Sequence, residues 1–142
     1  MLNTGRSSFP KQERMVSRLL IEKLFGGECS HSMAAFPLRV VYMTRERRKD
    51  ETPMQLLISV PKKHFKHAVD RNRVKRQIRE SYRRHKELLT NSLSDTQQVL
   101  IACVWLSDQQ EPSSAVERKL VSLMQRIGEK NDKRGSENQE IP

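Results

Sequence analysis

SVPKKHFKHAVDRNRVKRQIRESYRRHK, Ser59 to Lys86, begins as the end of a strand and turns into a helix, and the rest of the chain is organised around it. From about Ala68 or Asp70 to Leu89 the periodicity is helical. Val74, Ile78 and Tyr82 fall four apart on one narrow stripe, with Ser81 and His85 beside them. At about 100° per residue, Asn72, Arg76, Arg79 and Arg83 stand on the opposite side. One side packs and the other is cationic.

Charge singles out the same stretch. Eleven Lys or Arg and two acids, Asp70 and Glu80, lie between Lys62 and Lys86, a balance of +9. The whole 142-residue chain carries +10, so everything else contributes only +1. A surplus this local marks a site for a polyanion, whereas a diffuse one would only aid solubility. Lys62 and Lys63 follow a strand end and project from a sheet edge. Arg71, Asn72 and Arg73 open the helix, where unpaired N–H groups and the dipole favour anions. Arginine dominates the helix itself, and its planar fork engages phosphates in pairs and stacks on bases. Basic amphipathic helices also solvate surfaces or lie on membranes. The apolar stripe here is narrow and lacks the Trp, Phe and Leu that enter lipid, so it fits packing on a sheet.

Working outward, Met54 to Val60 reads as a strand closed by Pro61, and Phe36 to Thr44 as another, with Leu38, Val40 and Tyr42 on one side. The charged run Arg45 to Pro53 joins them, and antiparallel pairing of the two is the simplest arrangement. Glu28 to Ala35, a small-residue loop, leaves room for one more short strand. Lys11 to Phe25 is predicted helical through Met15, Leu19, Leu20 and Leu24, and Gly26-Gly27 stops it. Val99 to Leu106, VLIACVWL, is continuously apolar and short, which suits a strand buried on both sides. Pro112 opens a last helix with a stripe of Val116, Leu120, Leu123, Met124 and Ile127, ended by Gly128. The expectation is an α+β fold, a two-layer α/β sandwich of order α-β-β-β-α-β-α. A single domain spans 11–128, between a flexible lead at 1–10 and a disordered polar tail at 129–142.

Several chemistries lack their residues. His64 and His67 form an H-x-x-H pair without a third ligand, a poor zinc site. Ser59, Ser81 and Cys103 have no paired base at interpretable spacing, and no G-x-x-x-x-G-K loop is present. Glu22, Glu28 and Glu80 are too scattered to gather Mg²⁺. The eight apolar residues from Val99 are too few to span a bilayer, and Met1 to Arg14 lacks an apolar run. Cys29 and Cys103 are therefore expected as free thiols in a reducing cytoplasm, with no membrane partner.

The run Phe65-x-x-Ala68-x-x-Arg71-Asn72-Arg73-Val74-Lys75-Arg76-x-Ile78-Arg79 resembles the signature of the bacterial ribonuclease P protein subunit. Around it, Phe25 before glycine, Val40-Val41-Tyr42 in a strand, and the strand running into Lys62 and Lys63 are similar to the same family. The resemblance spans about residues 11 to 128 and is strongest from 58 to 86. It implies a left-handed βαβ crossover. It also implies a partner, the catalytic ribonuclease P RNA, which uses Mg²⁺ to cleave the 5′ leader from precursor tRNA. No cofactor is expected on the protein itself, and one protein per RNA. By the same resemblance, RNA contacts fall on Lys62, Lys63, Lys66, Arg71, Asn72, Arg73, Lys75, Arg76, Arg79 and Arg83. A cleft for the single-stranded leader falls on Ile21, Phe25, Val40 and Tyr42, although Ile21 stands where many relatives place an aromatic. The rival readings are a DNA-binding regulator that lays the basic helix in a major groove and an independent nuclease. The first is disfavoured because recognition helices come from compact helical motifs, whereas strands flank this one.

Overall fold

The computed structural model describes residues 13–140 apart from 16, 28 and 49, with side chains of the last helix described through Asn131. The predicted lead at 1–10 lies outside the described residues. The elements run α1 (Arg18–Gly26), β1 (His31–Ala35), β2 (Leu38–Glu46), β3 (Met54–Ser59), α2 (Ala68–His85), the single turn α3 (Glu87–Thr90), β4 (Gln97–Trp105) and α4 (Ser113–Glu140). Apart from α3, this is the order expected.

The sheet has the order β1-β2-β4-β3. β1 and β2 form an antiparallel hairpin around Phe36-Pro37, with Met33 opposite Val40. β2 runs antiparallel to β4, from Leu38 opposite Trp105 to Glu46 opposite Gln97. β3 runs parallel to β4, with Met54 beside Val99 and Ser59 beside Val104. The expected antiparallel pairing of β2 with β3 is therefore wrong, because β4 lies between them. The composition of β4 explains its place. From Val99 to Trp105 it is apolar at every position, and such a stretch loses most if either side stays in water, so it takes the centre. Val99, Ile101, Cys103 and Trp105 face one cluster, and Leu100 and Ala102 face the other.

Those two clusters define the layers. The larger is built from α2, α3 and α4 on one face of the sheet, with Val74, Ile78, Leu120 and Leu123 against Leu38, Val40 and Tyr42. On the reverse face the shorter α1 covers Val41 and Met43 with Leu24, and Leu20 and Ile21 pack alongside. Ser17 caps α1, its hydroxyl accepting from the Leu20 N–H at 3.4 Å, and Gly27 at φ 84° ends it. The helix predicted from Lys11 thus starts late. Residues 13–15 instead run along the outer edge of β3, where the Met15 N–H donates to the Leu56 carbonyl at 2.9 Å. Glu13 buries its carboxylate there, accepting from the Tyr82 hydroxyl at 2.9 Å and from Lys86 Nζ at 3.0 Å.

Two further expectations fail at the C-terminal end. α4 does not stop at Gly128 but continues to Glu140, so residues 129–140 are helical and not a disordered tail. Gly128 is a close-approach residue: a Cβ there would sit 3.1 Å from the Leu88 carbonyl oxygen of α3. The helix needs the missing side chain for packing.

Candidate nucleic-acid interface

The cationic helix is fixed from beneath before it presents anything to solvent. Val74, Ile78 and Tyr82 are buried, and so are Gln77 and Ser81. The Gln77 amide nitrogen donates to the Glu111 carbonyl at 2.8 Å and to the Ser113 hydroxyl at 3.1 Å, which ties α2 to the start of α4. Burying those side chains fixes the helix's rotation, and the opposite side exposes Asn72, Arg73, Arg76, Arg79 and Arg84. Lys75 and Arg83 are half-buried at its margins.

The turn entering α2 is held just as firmly. Phe65 is buried and anchors it. Arg71 reaches back, Nη1 donating to the carbonyls of Phe65 at 2.8 Å and Lys66 at 3.1 Å. His64 Nδ1 lies 2.6 Å from an Asp108 carboxylate oxygen, and the Gln110 amide donates to the Asp70 carbonyl at 3.1 Å. Lys62, Lys63 and Lys66 are exposed on this turn, directly beside the first turn of the helix. Ten predicted RNA contacts thus gather on one continuous surface, but they divide in kind. Arg71 spends part of its donor capacity inside the protein. Arg83 donates to Glu80 at 2.8 Å, and this bond is the leading reason that the Glu80 carboxyl titrates below its usual range. The side chains of Arg73 and Arg76 make no hydrogen bond or ion pair among the described residues.

Electrostatics runs against the helix's own preference. His67, the N-cap, makes no side-chain cap bond, and Asp70 is the one acid of the first turn. Arg71 closes the first turn at the positive end of the dipole, where a cation costs roughly 0.3–1 kcal/mol.

The four residues predicted for the leader cleft do not converge. Ile21 packs on the α1 face of the sheet, and Phe25 is 46% exposed beside it. Val40 and Tyr42 belong to the opposite face, buried against α2 and α4, with the Tyr42 ring 5.4 Å from His31. Side chains alternate along a strand, so the α1 side receives Val41 and Met43 instead. Among the described residues, no group of three or more His, Cys, Asp or Glu could hold a metal ion, and no helix is long and apolar enough to cross a membrane. Cys103 is buried, and burial pushes its thiol up to about 12, while Cys29 is exposed.

A four-stranded sheet backed by helices, with a basic crossover helix after a lysine-bearing turn, defines a class of small α/β proteins. The ribonuclease P protein from Thermotoga maritima has this fold, with a TM-score of 0.61 at 23% identity over 80% of this chain and 96% of that one. A ribonuclease P protein from Staphylococcus aureus superposes with a TM-score of 0.55, at 22% identity over 84% of this chain and 91% of that one. The Ribonuclease P family profile matches residues 9–128. A ribonuclease P protein component from Porphyromonas gingivalis is 40% identical over 129 residues, covering 89% of this chain and 91% of the relative. One from Chlorobaculum tepidum is 50% identical over 98 residues, 66% of this chain and 62% of the relative. The chain belongs to the ribonuclease P protein family. Membership implies a part in tRNA processing within an endoribonuclease complex.

Proposed function

We propose that this chain is the protein subunit of ribonuclease P, grips the catalytic RNA with its turn and α2, and assists Mg²⁺-dependent removal of the 5′ leader from precursor tRNA. The observation that carries this reading is the fixed array of Lys62, Lys63, Lys66, Asn72, Arg73, Arg76 and Arg79, all exposed along one buried-backed element. Cations held in register grip a folded polyanion without paying again for ordering, and each phosphate contact releases condensed counterions. Asn72 donates and accepts, and so suits a sugar or a phosphate between two arginines. The chemistry belongs to the RNA and the Mg²⁺ it holds. The protein supplies affinity and orientation, as one copy per RNA in the cytoplasm.

On the reverse face, Ile21 and Phe25 of α1, backed by Val41 and Met43, offer an apolar surface to the single-stranded leader. Reconstitution with the ribonuclease P RNA of the same cell tests the whole reading. At low Mg²⁺ the protein should restore 5′ maturation of precursor tRNA that the RNA alone performs poorly. Cleavage by RNA-free protein, or equal binding to duplex DNA at matched salt, would overturn it.

A further inference from the structure

We infer that the cleft between α2 and the start of α4 holds one ribose–phosphate unit of the ribonuclease P RNA and reads its 2′-hydroxyl through Ser81. The inference deepens the function proposed above and rests on it. The cleft has a volume of about 360 Å³. Ser81 lines it and is only 5% exposed, yet its hydroxyl makes no hydrogen bond among the described residues. One helical turn earlier stands Gln77, 8% exposed. Its amide nitrogen is taken up by the Glu111 carbonyl and the Ser113 hydroxyl, while its Oε1 has no donor. Buried polar groups are normally paired, so two orphans on one wall mark a place that an occupant completes.

The opposite wall selects the rest of that occupant. The Pro112 carbonyl accepts the first bonds of α4, from the N–H groups of Ala115 at 3.0 Å and Val116 at 3.1 Å. The N–H groups of Ser113 and Ser114 are left without a partner among the described residues. No acid stands in the first turn of this 28-residue helix, and its dipole favours an anion there. Arg76, whose side chain is unpaired among the described residues, lines the same cleft. The two acids on its walls already have partners: Glu80 has Arg83 at 2.8 Å, and Glu117 has His85 at 3.0 Å and Arg84 at 3.5 Å. An inorganic anion would satisfy the free N–H groups and Arg76 but would bring no donor to the Ser81 side. A ribose–phosphate brings both, since its phosphate accepts and its 2′-hydroxyl donates and accepts. Deoxyribose lacks that hydroxyl, so the cleft favours RNA over DNA. Arg76 belongs to the exposed cationic array as well, so an RNA gripped by α2 lies beside the cleft.

The test compares the unaltered protein with Ser81→Ala, each titrated with ribonuclease P RNA and with a pool of that RNA carrying scattered 2′-deoxy substitutions. Ser81→Ala should bind the natural RNA about two- to tenfold more weakly, the range for one hydrogen bond. One 2′-deoxy position in the ribonuclease P RNA should weaken the unaltered protein by the same factor and cost Ser81→Ala nothing more, the mark of a direct pair. Thermal melts of free Ser81→Ala should match or exceed those of the unaltered protein, because the lost hydroxyl leaves no partner behind. The site is refuted if Ser81→Ala binds the RNA fully, which gives the hydroxyl to water, or melts several degrees early, which makes it structural. Equal deoxy sensitivity in the two proteins, or sensitivity confined to precursor tRNA, refutes it as well. An unaltered protein that fails to bind ribonuclease P RNA would bring down the proposed function too. A silent Ser81→Ala beside intact, salt-dependent RNA binding removes this cleft alone.

Discussion

Arg71 and Arg73 lie two residues apart in the same basic run, yet their replacement by alanine should have different consequences. Arg71 donates to two main-chain carbonyls of the turn that carries Lys62, Lys63 and Lys66. A hydrogen bond from a charged donor contributes about 1.5–3 kcal/mol when buried, and less when water competes. Arg71 is half-buried and its second bond is exposed to water, so about 1–2 kcal/mol in total is the expected loss. For a domain of this size that lowers Tm by roughly 3–8 °C. The turn also loosens, so RNA affinity falls through lysines that were never mutated. Arg73 is exposed and has no partner within the described residues. Arg73→Ala should leave Tm within about a degree and flatten the log–log salt dependence of RNA binding by about one, as losing one phosphate contact does.

Thermal melts of the free protein, paired with titrations of ribonuclease P RNA at several salt concentrations, separate the two. An Arg71→Ala variant that melts like the unaltered protein would refute the bracing role. An Arg73→Ala variant that melts early, or keeps its full salt slope, would refute the division of labour between the two residues.

Other consequences follow from buried groups. Tyr82→Phe removes one of the two groups that hold the Glu13 carboxylate and should cost about 1.5–2.5 kcal/mol in denaturant unfolding. Lys86→Met leaves that carboxylate without its cation and should cost more, about 3–5 kcal/mol; the opposite ranking would mean that the pair is not buried as described. A thiol reagent at neutral pH should label Cys29 quickly and Cys103 only upon unfolding, since the latter is buried and titrates at about 12; two fast thiols in native protein would contradict this. Gly128→Ala should fail to deliver the roughly 1 kcal/mol that alanine gains over glycine inside a helix. The new Cβ would crowd the Leu88 carbonyl at 3.1 Å, so a clear rise in Tm would show that α3 yields freely there.

What could be read from the sequence tracks how local each determinant is. The packing stripe of α2 depends on residues four apart in one helix, and Val74, Ile78 and Tyr82 lie where that spacing puts them. The charge concentration is equally local, and so is the double burial of Val99 to Trp105. Strand order is not local. The expected pairing of β2 with β3 follows from short connection alone, and it ignores a cost already legible in VLIACVWL: an edge position would expose one side of an apolar strand. Carried through, that argument puts β4 between the other two without any family resemblance. The register of β2 has no such redundancy. Leu38 to Met43 reads Leu-Arg-Val-Val-Tyr-Met, and only Arg39 is polar, so alternation cannot say which of Val40 and Val41 faces α1. A displacement of one residue moves a candidate site from one side of the sheet to the other.

The same reasoning explains why residues 13–15 escape a local reading. Glu13 owes its place to Tyr82 and Lys86, about seventy positions further on, and nothing in its neighbourhood distinguishes it from a solvated acid on a helix. Its pairing delays the start of the predicted helix and turns the segment into a cover for the β3 edge, which would otherwise present open backbone groups to other chains. One buried carboxylate therefore sets both where α1 begins and where Arg14 stands. Glu13→Gln tests that link, since an uncharged amide keeps hydrogen-bonding capacity but gives up the charge that attracts Lys86. The protein should remain folded while protease cleavage ahead of Ser17 becomes faster. If cleavage there is unchanged, the segment is held by its backbone bridge and the burial of Met15 alone.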